Sequence, residues 1–372
     1  MWLFGFLPIR KNRIFFMSYY GKHINCNPYA IYCWGKEQGK DFQAIWVSDS
    51  KMGDEITVKY RSLRFYYYLR TSAILIFNAR PNVDIRKRRG QFYIQTWHSF
   101  LGFKMIEKDT RDTLDSKYVK KAKKDSKYID LLLAGCGFRR KCFERNFWYQ
   151  GKIAEFGTPR NDVLFSRNSQ ALARNVKKEL GIPEDTKILL YAPTFRNADD
   201  LSYATSLDAH QLRDALTDKF PGDWAIVYRL HPNVKISRGF SEGIVDASSY
   251  KDMQMLLLAA DVLVTDYSSV MFDFMLLNRP CFLYCPDFKE YTSKERRVYF
   301  TVDELPFGIC EKSQDLYNII RCFHEEDYHR GVDDFMQRID SFEHGTACEQ
   351  VWREIDLATN ADSQPLQYEK RN

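Results

Sequence analysis

The chain has 372 residues, 45% of them hydrophobic and 15% aromatic, with a formal net charge of +6. That length exceeds one typical core and predicts two domains, and the apolar content excludes a largely disordered chain. Nine scattered cysteines include no CxxC pair and no Cys/His cluster of zinc spacing, which predicts reduced, mostly buried thiols and a cytosolic compartment.

No segment reaches the ~20 apolar residues that span a bilayer. The N-terminus, MWLFGFLPIRKNR, is apolar first and basic after, the reverse of a secretory signal. It reads as a first strand, with a segment resting on a membrane surface as the alternative. Strand candidates follow at 14–17, 43–47, 73–77, 92–96 and 129–133. Between the first two lies a helix with Asn27 at its cap, Pro28 in its first turn and Gly39 at its end. Second-half strands are expected at 188–192, 225–230, 262–265 and 281–283, separated by helical stretches such as 169–180 and 250–260. The alternation argues for βα units and parallel sheets. The break falls within 157–168, where GTPRND supplies turn chemistry. A helix at 346–357 is the last good element, and the tail after Thr359 reads as loose. The expected division is 1–160, 161–345 and a C-terminal helix and tail at 346–372.

Charge is uneven. Residues 80–152 carry 19 Lys and Arg against 8 Asp and Glu, a net of +11, so the remainder carries −5. Arg88 and Arg89 in the RKRR run, and Lys120, Lys121, Lys123 and Lys124 in KYVKKAKKDSKY, form its core. Such runs dock on anionic lipid or steer a polyanionic substrate. The plain alternative is a solvated helix face.

DVLVTDYSSVMFDF (261–274) carries the strongest local signal. A buried strand runs into a polar turn, and a helix starts at once. Ser268 and Ser269 fall at its first turn, where free N–H groups and the helix dipole favour an anion such as a diphosphate. The bland reading is that Asp266, Ser268 and Ser269 cap the helix. Three other strands end alike: QTWHSFLGFK (95–104) presents Trp97 and His98, YAPTFR (191–196) presents Thr194 and Arg196, and YRLHPN (228–233) presents Arg229 and His231 before Pro232. Two of the seven histidines therefore sit at strand ends, where open α/β folds bind ligands. Histidine suits general-base work near neutral pH, and arginines with an anion site suit a nucleotide diphosphate. No GxxxxGK[ST] loop, no GxGxxG and no metal-binding aspartate pair occurs, so neither a P-loop, nor a dinucleotide cofactor, nor a protein-held metal is expected.

In this order, QTWH (95–98), GTPRND (157–162), YAPTFR (191–196), RLHP (229–232), TDYSSVMFDF (265–274), NRP (278–280) and PDFKEY (286–291) resemble the CDP-glycerol glycerophosphotransferase family, the teichoic acid primases and polymerases. The likeness runs from SYYGK (18–22) to HGTA (344–347). It implies an α/β, GT-B-like fold: two Rossmann-like domains whose parallel sheets face a cleft, with the donor in the C-terminal one. It implies transfer of glycerol phosphate from CDP-glycerol to a hydroxyl of a lipid-linked, polyprenyl-type acceptor or of poly(glycerol phosphate), releasing CMP. No cofactor and no nucleic acid partner is implied. His98 would be the base and His231 would steady the donor phosphates or the CMP leaving group. Ser268 and Ser269 would hold the diphosphate, with Arg196, Arg229, Arg160, Thr194, Pro232 and Tyr267 as further donor contacts. The lysines and arginines above would dock the protein on the anionic cytoplasmic face of the membrane. Many members have glycine after the motif histidine, whereas this chain has Ser99, which bears on the acceptor. Competing readings are the same fold acting on CDP-ribitol or on a nucleotide sugar of a capsule pathway, and a basic binding module for nucleic acid or anionic lipid.

Overall fold

The computed structural model describes residues 4–194, 207–230, 242–288 and 297–360. Strands β1 (Arg10–Met17), β2 (Gln43–Val47), β3 (Ile56–Val58), β4 (Ser72–Phe77), β5 (Phe92–Gln95), β6 (Leu131–Leu133) and β7 (Lys152–Ala154) form a sheet in the order 3-2-1-4-5-6-7. Strands β8 (Lys187–Tyr191), β9 (Trp224–Tyr228), β10 (Ile244–Asp246), β11 (Val262–Thr265), β12 (Cys281–Tyr284) and β13 (Gly308–Cys310) form a second, in the order 10-9-8-11-12-13. Neighbours within both sheets run parallel. The run SAILIF of β4 is buried at every position, as a strand covered on both faces requires.

The intervening helices are α1 (Cys26–Glu37), α2 (Leu63–Thr71), α3 (Ser116–Ser126), α4 (Gly137–Asn146), α5 (Ser169–Glu179), α6 (Ala209–Lys219), α7 (Met253–Ala259), α8 (Val270–Met275), α9 (Ser313–Arg321), α10 (Glu325–Ile339) and α11 (Ala347–Asn360). Each sheet thus has the βα alternation expected of a Rossmann-like domain. Four strands that the sequence did not announce, β3, β7, β10 and β13, have three residues each and lie at sheet edges. Such short segments carry no periodic signal. Asn27 is not the cap of α1: the cap position is Asn25, and Asn27 lies inside the helix with a buried side chain. The stretch 250–260 forms a shorter helix, α7, because the Asp252 side chain caps it by accepting from the N–H groups of Gln254 and Met255.

Two features join the halves. First, α11 returns to the first sheet: Val351, Trp352 and Ile355 pack in one core cluster with Ile14 and Phe16 of β1. The Trp352 indole donates to the Ile31 carbonyl at 2.8 Å and fills the space where a Cβ on Gly35 would stand. Second, the loop after β5 crosses from one core to the other. Trp97 packs with the first sheet, whereas Phe100, Leu101 and Phe103 pack with the second. Backbone bonds from Met105 N–H to the Arg297 carbonyl and from Tyr299 N–H to the Phe103 carbonyl continue that crossing.

Candidate functional site

Each sheet reverses its strand order beside its first strand, between β1 and β4 in one and between β8 and β11 in the other. Connections diverge there and leave a crevice at the carboxyl ends of the strands. Asn78, just past β4, organises the first crevice. Its Oδ1 accepts from Tyr19 N–H at 2.9 Å, and its carbonyl meets His98 Nδ1 at 3.0 Å. A carbonyl can only accept, so Nδ1 carries the proton and Nε2 keeps its lone pair. The half-buried His98 ring stands edge-on to Tyr19, centroids 5.7 Å apart. Loss of hydration pushes its pKa down to about 4; the Asn78 bond opposes that shift, and the charges of Arg160 and Arg139 add to it.

The backbone leading into His98 is unusual. Trp97 has φ +51°, a left-handed conformation that a bulky residue adopts only when its surroundings impose it. Gln95 Oε1 accepts from Trp97 N–H at 3.1 Å, and Asn27 Nδ2 donates to the Thr96 and Trp97 carbonyls at 3.3 and 3.0 Å. Asn27 is therefore a clamp on the histidine loop.

In the second crevice, Asp266 does not cap α8. It accepts from both the N–H and the hydroxyl of Thr194, tying the end of β8 to the end of β11. Ser269 occupies the cap position of α8 without a side-chain cap bond, and the Ser268 hydroxyl accepts from Val270 N–H only at 3.4 Å. Both serines are half-buried, and no bond within α8 takes up their hydroxyl protons. Tyr267 is another of the expected donor contacts. It is 2% exposed, its phenol donates to Asp287 and its ring stacks on Phe288, so it packs inside its domain. Arg160, expected among the donor contacts, pairs with Asp273 in α8. Asn161 and Gln254 also donate to Asp273, each at 3.1 Å. Because Arg160 N–H donates to Asn27 Oδ1 at 3.1 Å, one chain of polar contacts runs from the histidine loop to the serine helix.

Arg229 lies at the end of β9, largely buried, with Nη2 donating to the Tyr250 carbonyl at 3.4 Å; burial lowers its pKa. Arg196, His231 and Pro232 lie outside the described residues. Lys120, Lys121, Lys123 and Lys124 are exposed on α3, with Lys124 paired to Asp84. Arg89 is exposed, whereas Arg88 spends its guanidinium on the Leu7 and Arg70 carbonyls. Buried Arg80, two residues after Asn78, pairs with Asp125 of α3 and with Glu107, and so ties the basic helix to the loop that holds the histidine. Among the described residues, the cysteines are free thiols, no three His, Cys, Asp or Glu side chains gather to hold a metal ion, and no helix is long and apolar enough to cross a membrane.

Residues 2–357 match the family model described as CDP-glycerol:poly(glycerophosphate) glycerophosphotransferase. The chain is 32% identical over 343 residues to a teichoic acid poly(glycerol phosphate) polymerase of Bacillus subtilis (strain 168), covering 87% of this chain but 45% of that protein. It is 30% identical over 375 residues to the polymerase of the same description from Bacillus spizizenii, covering 95% of this chain and 94% of that protein. Among solved structures, the wall teichoic acid polymerase TagF superposes with a TM-score of 0.84 at 28% identity, over 94% of this chain and 90% of that one. The GT-B-like architecture follows from that superposition and from the two parallel sheets.

Proposed function

We propose that this chain, which belongs to the CDP-glycerol:poly(glycerophosphate) glycerophosphotransferase family, transfers glycerol phosphate from CDP-glycerol to an acceptor hydroxyl and releases CMP. The acceptor is a lipid-linked saccharide or a growing poly(glycerol phosphate) chain, and the product is a teichoic acid or a related cell-surface polymer. One observation supports the reading most directly. His98 donates Nδ1–H to the Asn78 carbonyl, which turns its Nε2 lone pair to proton acceptance at a strand-end crevice.

The hydroxyl oxygen attacks the phosphorus that bears glycerol. A new P–O bond forms, the P–O bond to the CMP phosphate breaks, and the hydroxyl proton passes to His98 Nε2. Ser268 and Ser269 donate to the diphosphate at the start of α8, with Arg229, Arg196, Thr194, His231 and Pro232 as further donor contacts. Arg160 and Tyr267 serve as positioning and packing residues. Catalysis of this kind is mainly positioning and charge neutralisation.

The acceptor brings the enzyme to a membrane. We place it peripherally on the anionic cytoplasmic face, docked through α3.

The test is CMP release from purified protein with CDP-glycerol and CDP-ribitol offered separately, using a lipid-linked glycerol phosphate acceptor. CDP-glycerol is expected to support release, and His98→Ala to lower kcat by about 10²–10⁴-fold, the usual worth of a general base. CDP-glycerol binding, read by calorimetry, should survive that substitution. Wild-type turnover in the variant would remove His98 from the base role.

A further inference from the structure

Arg139 is out of place if stability alone is considered. Its side chain is 1% exposed, yet among the described residues it forms no ion pair, and Nε and Nη1 have no hydrogen-bond partner. It occupies the first turn of α4, the positive end of the helix dipole, where a cation is disfavoured. Edge-of-range contacts to the Phe143 and Tyr299 rings, at 5.6 and 6.0 Å from the guanidinium carbon, offset little of the cost of burying a charge. The loop after His98 is shaped around it: a Cβ on Gly102 would stand 2.1 Å from Nη2.

The hydrogen bond that the guanidinium does make is informative. Nη2 donates to the Ser99 hydroxyl oxygen at 3.4 Å. Ser99 is half-buried and follows His98 directly. With its oxygen facing a cation, the Ser99 hydroxyl turns its own proton away from Arg139. A hydroxyl polarised in this way is a strengthened donor to an anion. Among the described residues no Asp or Glu side chain lies within ion-pair reach of the guanidinium.

We propose that Ser99, backed by the buried Arg139, is an anion subsite for the acceptor's phosphodiester next to its terminal glycerol, separate from the donor turn at Ser268 and Ser269. The inference rests on the glycerophosphotransferase reading and names what that site selects. Ser99 touches the acceptor; Arg139 acts through Ser99 and is a positioning residue. An acceptor already carrying glycerol phosphate is therefore preferred to a neutral one.

Two alkyl-linked acceptors test this, alike except that one carries a phosphodiester beside the terminal glycerol and the other does not. Ser99→Ala and Arg139→Met should each lower the ratio of kcat/KM, anionic over neutral, by about tenfold, one charge-assisted hydrogen bond's worth. Arg139→Lys should recover part of the ratio. KM for CDP-glycerol should hold, which separates an acceptor phosphate from a donor phosphate. Arg139→Met should melt no lower than wild type, since it removes an uncompensated buried charge at similar volume. An unchanged ratio in either variant, or a fall in Tm with equal loss on both acceptors, would overturn the subsite. A wild-type protein that releases no CMP with either acceptor overturns the glycerophosphotransferase reading, and the subsite with it.

Discussion

A histidine whose pKa sits at about 4 is neutral throughout the physiological range, so His98 is always available to accept a proton. It is also an intrinsically weak base. In the proposed reaction the arriving diphosphate would change that balance, because negative charge nearby favours the imidazolium. The acid limb of kcat/KM, which reports the free enzyme, should therefore fall near pH 4. The acid limb of kcat, which reports the complex, should lie at higher pH. Measuring both profiles between about pH 3 and 8 checks this, and coincident limbs would count against it. The same shift has a stability consequence. An unfolded histidine titrates near 6.5, so between about 6.5 and 4 the unfolded chain binds the extra proton. His98 therefore removes stability as pH falls through that window, and His98→Asn should flatten the dependence of Tm on pH there.

The histidine loop and the serine helix depend on each other through side chains far apart in sequence. Arg160 and Asp273 are 113 positions apart, and Asn27 meets the Trp97 carbonyl across 70. Replacing Asp273 by Asn leaves Arg160 buried without its counter-charge, a change that typically costs about 3–5 kcal/mol. Both Tm and donor KM should suffer, because α8 carries the serine turn. Asn27→Ala should act on the other end, lowering kcat more than it raises donor KM, since it frees the strained Trp97 backbone before His98. Steady-state kinetics on the two variants separates these outcomes. At the serine turn itself, Ser268→Ala with Ser269→Ala should raise donor KM by about tenfold or more. An unchanged KM would detach the diphosphate from this helix start. The elements behind these predictions were readable to different degrees. The long central strands and the polar turn after 262–265 announce themselves by apolar runs that end in donors. The clamp and hub residues do not. Asn27 reads as a helix cap, Asp273 as one acid in an apolar helix, and Arg139 as one of many basic residues between 80 and 152. Their roles arise only when the topology brings strand ends together, and pairings over such separations leave no local pattern.

At the scale of the whole molecule, the proposed lipid-linked acceptor has to be met by a protein without a membrane-spanning helix among its described residues. The Asn78–Ala79–Arg80 loop gives a structural answer. Its first residue holds the His98 imidazole, and its last, buried against Glu107 and Asp125, anchors α3. A surface bound through α3 would thus be coupled to the acceptor side of the crevice by a three-residue span. The four lysines are not equal in this role. Lys124 is paired with Asp84, and Lys121 reaches the Asn82 carbonyl at 3.5 Å, whereas Lys120 and Lys123 form no ion pair among the described residues. Each unpaired basic residue near an anionic leaflet contributes about 1 kcal/mol. Replacing Lys120, Lys121 and Lys123 by Gln should therefore weaken binding to phosphatidylglycerol vesicles by on the order of 100-fold, whereas Lys124→Gln alone should do little. Raising salt should reproduce the triple variant's loss in the wild type, because the attraction is screened within a Debye length. Turnover on a soluble acceptor should survive the triple substitution, while turnover on a vesicle-borne acceptor falls with binding. Equal sedimentation of wild type and triple variant with vesicles would move the docking surface away from α3.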